Sequence, residues 1–168
     1  MMSENLRWIG RFVFLVLFQV FILNNIQLAG YLNPYLYVLF ILSLPTNISR
    51  SNLLFVAFAL GFTIDIFENS GGAHTSATLT LAFLRPFIIR FVMPATEQNM
   101  GRVNLWTMGT GRFFTYSTLG VLIHHLWFFS LEAFRVSELI PILSRTLVSA
   151  PITLLLIYIT QLFVYREE

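Results

Sequence analysis

The residues of this chain that could do chemistry are few, and they stand inside apolar runs. Asp65, His74 and Arg85 share one stretch, Leu53 to Pro86, which reads LLFVAFALGFTIDIFENSGGAHTSATLTLAFLRP. A carboxylate set between Phe-Thr-Ile and Ile-Phe is a functional-site candidate if the surroundings are lipid, because its charge must find a partner there. The available partners are Arg85, Arg145 and the nearer His74. Counting about 1.5 Å per residue inward from the Gly71-Gly72 turn puts Arg85 roughly mid-membrane, so an Asp65–Arg85 pair requires both side chains to reach. The plain reading is a structural pair that fixes a helix hairpin; the competing ones are a solute or proton site and exposure at the interface.

Arg85-Pro86 has a reading of its own. Proline removes a backbone donor and frees the carbonyl four residues earlier, at Ala82, which makes the dipeptide a kink device whose arginine can bond freed carbonyls. His124 and His125 are adjacent and point about 100° apart on a helix, so they do not face one metal together. His125 and Glu132 do share a face, and with His74 from another helix they would form a three-ligand set. Neither a His-x3-His spacing nor a second carboxylate supports that set, and interhelical hydrogen bonding is the simpler account. The chain has no cysteine and no lysine, and no Gly-x-Ser-x-Gly, His-Glu-x-x-His or Walker sequence. The expectation is therefore a non-enzymatic protein without cofactor or metal.

The elements that must position these residues follow from composition. Hydrophobic residues make up 57% of the 168, charged residues 11%, and mean hydropathy is +0.75. That leaves too little polar surface to cover a water-soluble globule, and runs such as Phe12–Phe18 and Ile152–Ile159 lack the dyad alternation of a barrel. The fold expected is an all-α, single-domain polytopic bundle over residues 1–168. Its spans are about 8–28, 32–45, 51–69, 73–94, 112–131 and 138–164. The second is short, because Tyr31 to Leu44 rises only ~21 Å against ~30 Å of hydrocarbon, so it either crosses a thinned bilayer or forms a shielded re-entrant arm.

Arginine placement arbitrates the count. With six spans and the N-terminus inside, Arg7, Arg11, Arg50, Arg90, Arg102, Arg112 and Arg166 gather on the cytoplasmic side, as basic residues of short loops do. The outer connections then hold Arg135, near Glu132 and Glu138. Asn24, Asn25, Ile26 and Gln27 make a poor signal-peptidase site, so the first segment reads as an uncleaved helix. Gln19, Asn24 and Asn25 read as interhelical glue or a helix end. No polybasic segment argues for nucleic acid. Ala57, Gly61 and Asp65 recur at i, i+4 and i+8, and Ala73, Ser76, Ala77 and Thr80 offer a matching stripe of small side chains. Small residues so spaced let two helices approach closely in lipid.

Several of these motifs carry a resemblance. The short second span with Asn33-Pro34-Tyr35-Leu36-Tyr37 and Leu44-Pro45, then Gly61-Phe62-Thr63-Ile64-Asp65-Ile66-Phe67, Gly71-Gly72-Ala73-His74 and Arg85-Pro86 resemble the bacterial rod shape-determining MreD family. Length, layout and termini agree with it, although beyond residue 95 the likeness is one of shape. The resemblance implies a subunit of the cell-wall elongation machinery in the bacterial cytoplasmic membrane, both termini cytoplasmic, where it scaffolds MreC and the peptidoglycan synthases. It also implies MreB, RodA and a class B penicillin-binding protein in the same complex. Gly61, Asp65, Gly71, Gly72, His74, Arg85 and Pro86 become candidate structural or partner-contact residues. At fold level such proteins look like the substrate-binding subunits of energy-coupling-factor transporters. That likeness leaves a small-solute-binding subunit as the alternative, with a pocket lined by Asp65, His74, His125 and Glu132.

Overall fold

A computed structural model of the chain describes residues 4–25, 33–98, 101–133 and 138–164. Ile26 and Gln27 at the expected end of the first span lie outside these, as do Asn99, Arg135 and Arg166. The described residues form helices and connections, with no strand among them: α1 (Glu4–Phe21), α2 (Val38–Ser43), α3 (Arg50–Glu68), α4 (Ala73–Val92), α5 (Leu105–Met108), α6 (Thr110–Ala133) and α7 (Leu139–Val164).

Four helical segments are long and apolar enough to cross a membrane: Leu6–Asn25, Arg50–Glu68, Ala73–Val92 and Leu139–Phe163. Their outward faces suit lipid. Phe55 is 72% exposed, Phe91 78%, Ile140 81% and Phe163 80%, a degree of apolar exposure that water would penalise and hydrocarbon would not. The 24 residues of α6 rise about 36 Å, enough to span. Its buried face is mixed, however, carrying Tyr116, Ser117, His124 and His125 among Phe113, Val121, Phe128 and Phe129.

The helix ends follow local chemistry. Ser49 caps α3 by accepting the Asn52 N–H at 3.2 Å. Asn69 takes the left-handed conformation at the other end, and Gly71 and Gly72, at φ 63° and 94°, turn the chain into α4. Both glycines occupy backbone space that L side chains rarely adopt, which is why this hairpin needs them. Pro86 lies inside α4 and Pro151 inside α7.

α2 is the departure from expectation. The sequence suggests a helix over most of 32–45, whereas only six residues are helical, a rise of about 9 Å. Pro45 disfavours helical backbone at the residue before it, and Leu44 is extended at φ −57°, ψ 148°. All six α2 residues are buried, Val38, Ile41 and Leu42 fully so, as is Tyr37 just before them. Irregular backbone at membrane depth survives only where protein encloses it. Here α4 and α6 flank α2, α1 leans on it, and α3 and α7 pack on the outer sides of α4 and α6.

The tightest joint is the crossing of α3 and α4. A Cβ placed on Gly61 would come within 2.5 Å of Thr75 Cα and 2.8 Å of His74 O, and would also overlap Thr78 Oγ1. Thr78 seals the joint by donating to the Ala57 carbonyl of the facing helix at 2.9 Å. The small residues of α3 thus meet His74, Thr75 and Thr78 of α4 rather than the expected stripe of Ala73, Ser76, Ala77 and Thr80, of which Ser76 accepts from Trp127 of α6 at 2.8 Å.

Candidate functional site

Two polar clusters occupy opposite ends of the bundle, and the sequence-predicted residues divide between them. At the end holding the Gly71-Gly72 turn, Asp65 does not pair with an arginine. Its Oδ1 accepts the His74 N–H at 3.0 Å and the Ser70 hydroxyl at 2.5 Å. Its Oδ2 accepts the Thr75 N–H at 2.8 Å and, in a short contact, the Thr75 hydroxyl. The first N–H groups of a helix have no intrahelical acceptor, and a carboxylate there is favoured by the helix dipole as well. Gly72, at the N-cap position of α4, has no side chain to do this. Asp65 of the preceding helix therefore caps α4 in its place.

His74 is fully buried beside this cap and starts a chain of hydrogen bonds that no single stretch of sequence displays. Its Nδ1 lies 2.7 Å from the Tyr37 hydroxyl, which lies 2.8 Å from His124 Nε2. Its Nε2 lies 2.9 Å from Glu68 Oε2. The Asn24 amide donates to Glu68 Oε1 at 2.6 Å, and the Gln19 amide donates to Asn24 Oδ1 at 2.8 Å and to the Pro34 carbonyl at 2.9 Å.

With Glu68 ionised and His74 neutral, one set of donors fits this network. His74 Nε2 then carries the proton and Nδ1 accepts from the Tyr37 O–H. The Tyr37 oxygen then accepts from His124 Nε2–H, which leaves His124 Nδ1 as a bare acceptor. That atom is buried without a hydrogen-bond partner. Every bond in the run is thus polarised toward Glu68. Tyr35 packs edge-on to His74 and His124, and Phe128 stacks on His74 with ring centroids 4.3 Å apart, so the space around the imidazoles is filled.

His125 belongs to a separate tie. Its Nε2 lies 3.1 Å from the Thr153 hydroxyl, which also accepts the Tyr35 N–H at 3.1 Å. The sequence-suggested trio of His74, His125 and Glu132 is not brought together. Glu132 pairs instead with Arg145 at 2.9 Å, and the Arg145 guanidinium sits 4.4 Å above the Phe129 ring. Among the described residues no group of three or more His, Cys, Asp or Glu side chains is placed to hold a metal ion.

At the other end Arg85 is 1% exposed and reaches neither Asp65 nor the Ala82 carbonyl that Pro86 frees. It turns toward the end of α2. Its Nε donates to the Tyr116 hydroxyl at 2.8 Å, Nη1 to the Pro45 carbonyl at 3.4 Å, and Nη2 to the Leu42 carbonyl at 3.5 Å and, closely, to that of Leu44. Tyr116 in turn donates to the Leu42 carbonyl at 2.9 Å. The last carbonyls of a helix lack intrahelical donors, and a guanidinium fork matches several of them at once. Arg85 is thus the C-terminal cap of a buried one-and-a-half-turn helix, supplied from α4 and braced by α6.

No family model, curated protein or solved structure matches the chain. What the chain can do must therefore be argued from the arrangement itself. Tyr37, Glu68, Tyr116 and Thr153 are the residues that local sequence did not single out. Their only signal is a hydroxyl or carboxylate within an apolar run, and their partners lie on other helices. Gln19 and Asn24, by contrast, occupy the interhelical role that their place at the end of the first span suggests.

Proposed function

We propose that this chain is a non-enzymatic membrane subunit of the MreD kind, in which a fixed helical bundle scaffolds an MreC-like single-helix partner and the wall synthases. Six crossings with both termini cytoplasmic complete the reading, the α2 segment and α6 serving as the second and fifth. The layout would then be shared with the substrate-binding subunits of energy-coupling-factor transporters.

One observation carries the proposal. The residues of the resemblance are spent on architecture: Gly61 on a helix crossing, Gly71 and Gly72 on a turn, Asp65 on a cap, His74 on a tie between Tyr37 and Glu68, and Arg85 on a second cap. Asp65, His74 and His125 meet side-chain and backbone partners where a solute pocket would need open space. The outer faces of α3 and α4, by contrast, carry rows of exposed phenylalanines, among them Phe55, Phe62, Phe83 and Phe91, a surface another apolar helix can pack on.

Gly61 and Ala77 face inward, so contact probes belong on Phe55, Phe62, Phe83 and Phe91. Photo-crosslinking residues placed singly at these four positions in native membranes should capture an MreC-like protein from one helix face and not the others. Equal, weak capture from every face would count against a scaffold. A vitamin-sized molecule that copurifies with the gently extracted chain would favour the solute-binding alternative.

A further inference from the structure

The Arg85 end of the bundle holds a cavity of about 240 Å³ lined by Thr46, Ile48, Arg50, Leu53, Arg85, Pro86, Ile89, Arg90 and Gln98. Three arginines line it and, among the described residues, no acid does. The acid nearest in sequence, Glu97, is taken by an ion pair with Arg112. Arg85 presents five N–H groups and has four protein acceptors, so one Nη1 hydrogen is left for the cavity. Positive charges gathered in one pocket without a counter-charge repel one another unless an anion enters, most of all where one of them, Arg85, is buried.

A second cavity adjoins the first and shares Arg50, Leu53 and Pro86 with it. Its remaining lining, Leu54, Ala82, Phe83 and Phe87, is apolar, and Phe83 and Phe87 are exposed on the lipid-facing side. The two cavities together run from a cationic pocket at the helix ends to an apolar groove between α3 and α4. Arg50 is the first residue of α3 and Arg90 lies two residues from the end of α4, while Arg85 is five residues deeper than Arg90, about 7–8 Å along the helix, and all three line the one cavity.

We infer that this end of the molecule binds a lipid with an anionic phosphate headgroup, its phosphate held by Arg50, Arg85 and Arg90 and a chain lying along Leu54, Phe83 and Phe87. Planar guanidiniums bind phosphate oxygens bidentately, and the charged hydrogen bonds that result are the strong ones. The Gln98 side chain, which donates to the Met93 carbonyl at 3.0 Å, closes the pocket at its rim.

The test uses the full chain in detergent, with dioleoyl phosphatidylglycerol, dioleoyl phosphatidylcholine and inorganic phosphate as probes and native mass spectrometry as readout. Wild type is expected to retain phosphatidylglycerol in preference to phosphatidylcholine. Arg50→Gln and Arg90→Gln, both exposed and so compatible with folding, are each expected to weaken retention by about tenfold, the effect of losing one charge-assisted bond. Arg145→Gln removes the same charge at the opposite end of the bundle, where it pairs with Glu132, and should change nothing. Leu54→Trp, which fills the groove, should reduce lipid binding alone. Equal retention by Arg50→Gln, Arg90→Gln and wild type, or an equal loss in Arg145→Gln, would overturn the site. If inorganic phosphate displaces the lipid and Leu54→Trp is silent, the lipid assignment is overturned in favour of a soluble phosphate.

Discussion

Adding one methyl group at Gly61 tests the packing argument most directly. Carbon atoms in good contact stand about 3.5–4.0 Å apart, so a Cβ 2.5 Å from Thr75 Cα lacks about 1 Å of room. Two of its three neighbours, Thr75 Cα and His74 O, are backbone atoms and cannot rotate away. The third, Thr78 Oγ1, is held by the Ala57 and His74 carbonyls, both at 2.9 Å. α4 would have to move off α3, and its first turn is pinned to α3 by Asp65. Overpacking of this kind costs ~1–3 kcal/mol, and backbone neighbours place it in the upper part of that range. Alanine returns up to ~1 kcal/mol of helix propensity over glycine.

Gly61→Ala should therefore lose about 2 kcal/mol net, a fall of roughly 4–8 °C in Tm for a chain of this size. Gly61→Val should lose more. Gly10 is the control, a helical glycine on α1 with nothing within 4 Å of an added Cβ, where alanine should be neutral or stabilising. Thermal unfolding of the detergent-solubilised proteins, followed by tryptophan fluorescence, gives the comparison. If Gly61→Ala melts at or above wild type in step with Gly10→Ala, the close crossing of α3 and α4 is wrong.

Asp65→Ala should cost about 2 kcal/mol by uncapping α4, and Asp65→Asn should recover part of that because one amide oxygen still accepts, which thermal unfolding of the two variants will rank. Tyr37→Phe removes the hydroxyl between two buried imidazoles and should cost about 1–3 kcal/mol; a variant as stable as wild type would refute the network. Arg85→Gln should be the most disruptive of the set, about 3 kcal/mol or more, with Tyr116→Phe milder, since three carbonyls around Leu42–Pro45 lose a shared donor. Hydrogen exchange of residues 38–45 should rise in Arg85→Gln before it rises in α3.

The sequence makes some of this legible and hides the rest for identifiable reasons. Ala57 and Gly61 could be read because helical periodicity alone puts them on one stripe, whereas the α4 face they meet, His74, Thr75 and Thr78, is not the stripe of smallest residues on that helix. The long helices could be read because lipid demands continuous apolar runs. Asp65 was assigned a side-chain partner because charge suggests charge, whereas its actual partners are two backbone N–H groups and two hydroxyls, which carry no sequence signature as a set. Arg85 was likewise placed at its own proline's free carbonyl. The carbonyls it does bond become available only because Pro45 stops α2 early and the chain brings that end beside α4, 40 residues away. Tyr37 was invisible for the same reason, being 37 residues from His74 and 87 from His124.

The way α2 is held also bears on how the chain is assembled. Its leading backbone is bonded by Gln19 of α1 and Ser149 and Thr153 of α7, and its trailing carbonyls by Arg85 of α4 and Tyr116 of α6. Most of those donors and acceptors are synthesised after it. A segment with a helix this short cannot satisfy its own polar groups in hydrocarbon, so it cannot settle there as it emerges from the ribosome. Its polar groups gain their full set of partners only once α7 is made. Chains truncated before α6 should leave residues 33–45 open to protease, and the full-length chain should not.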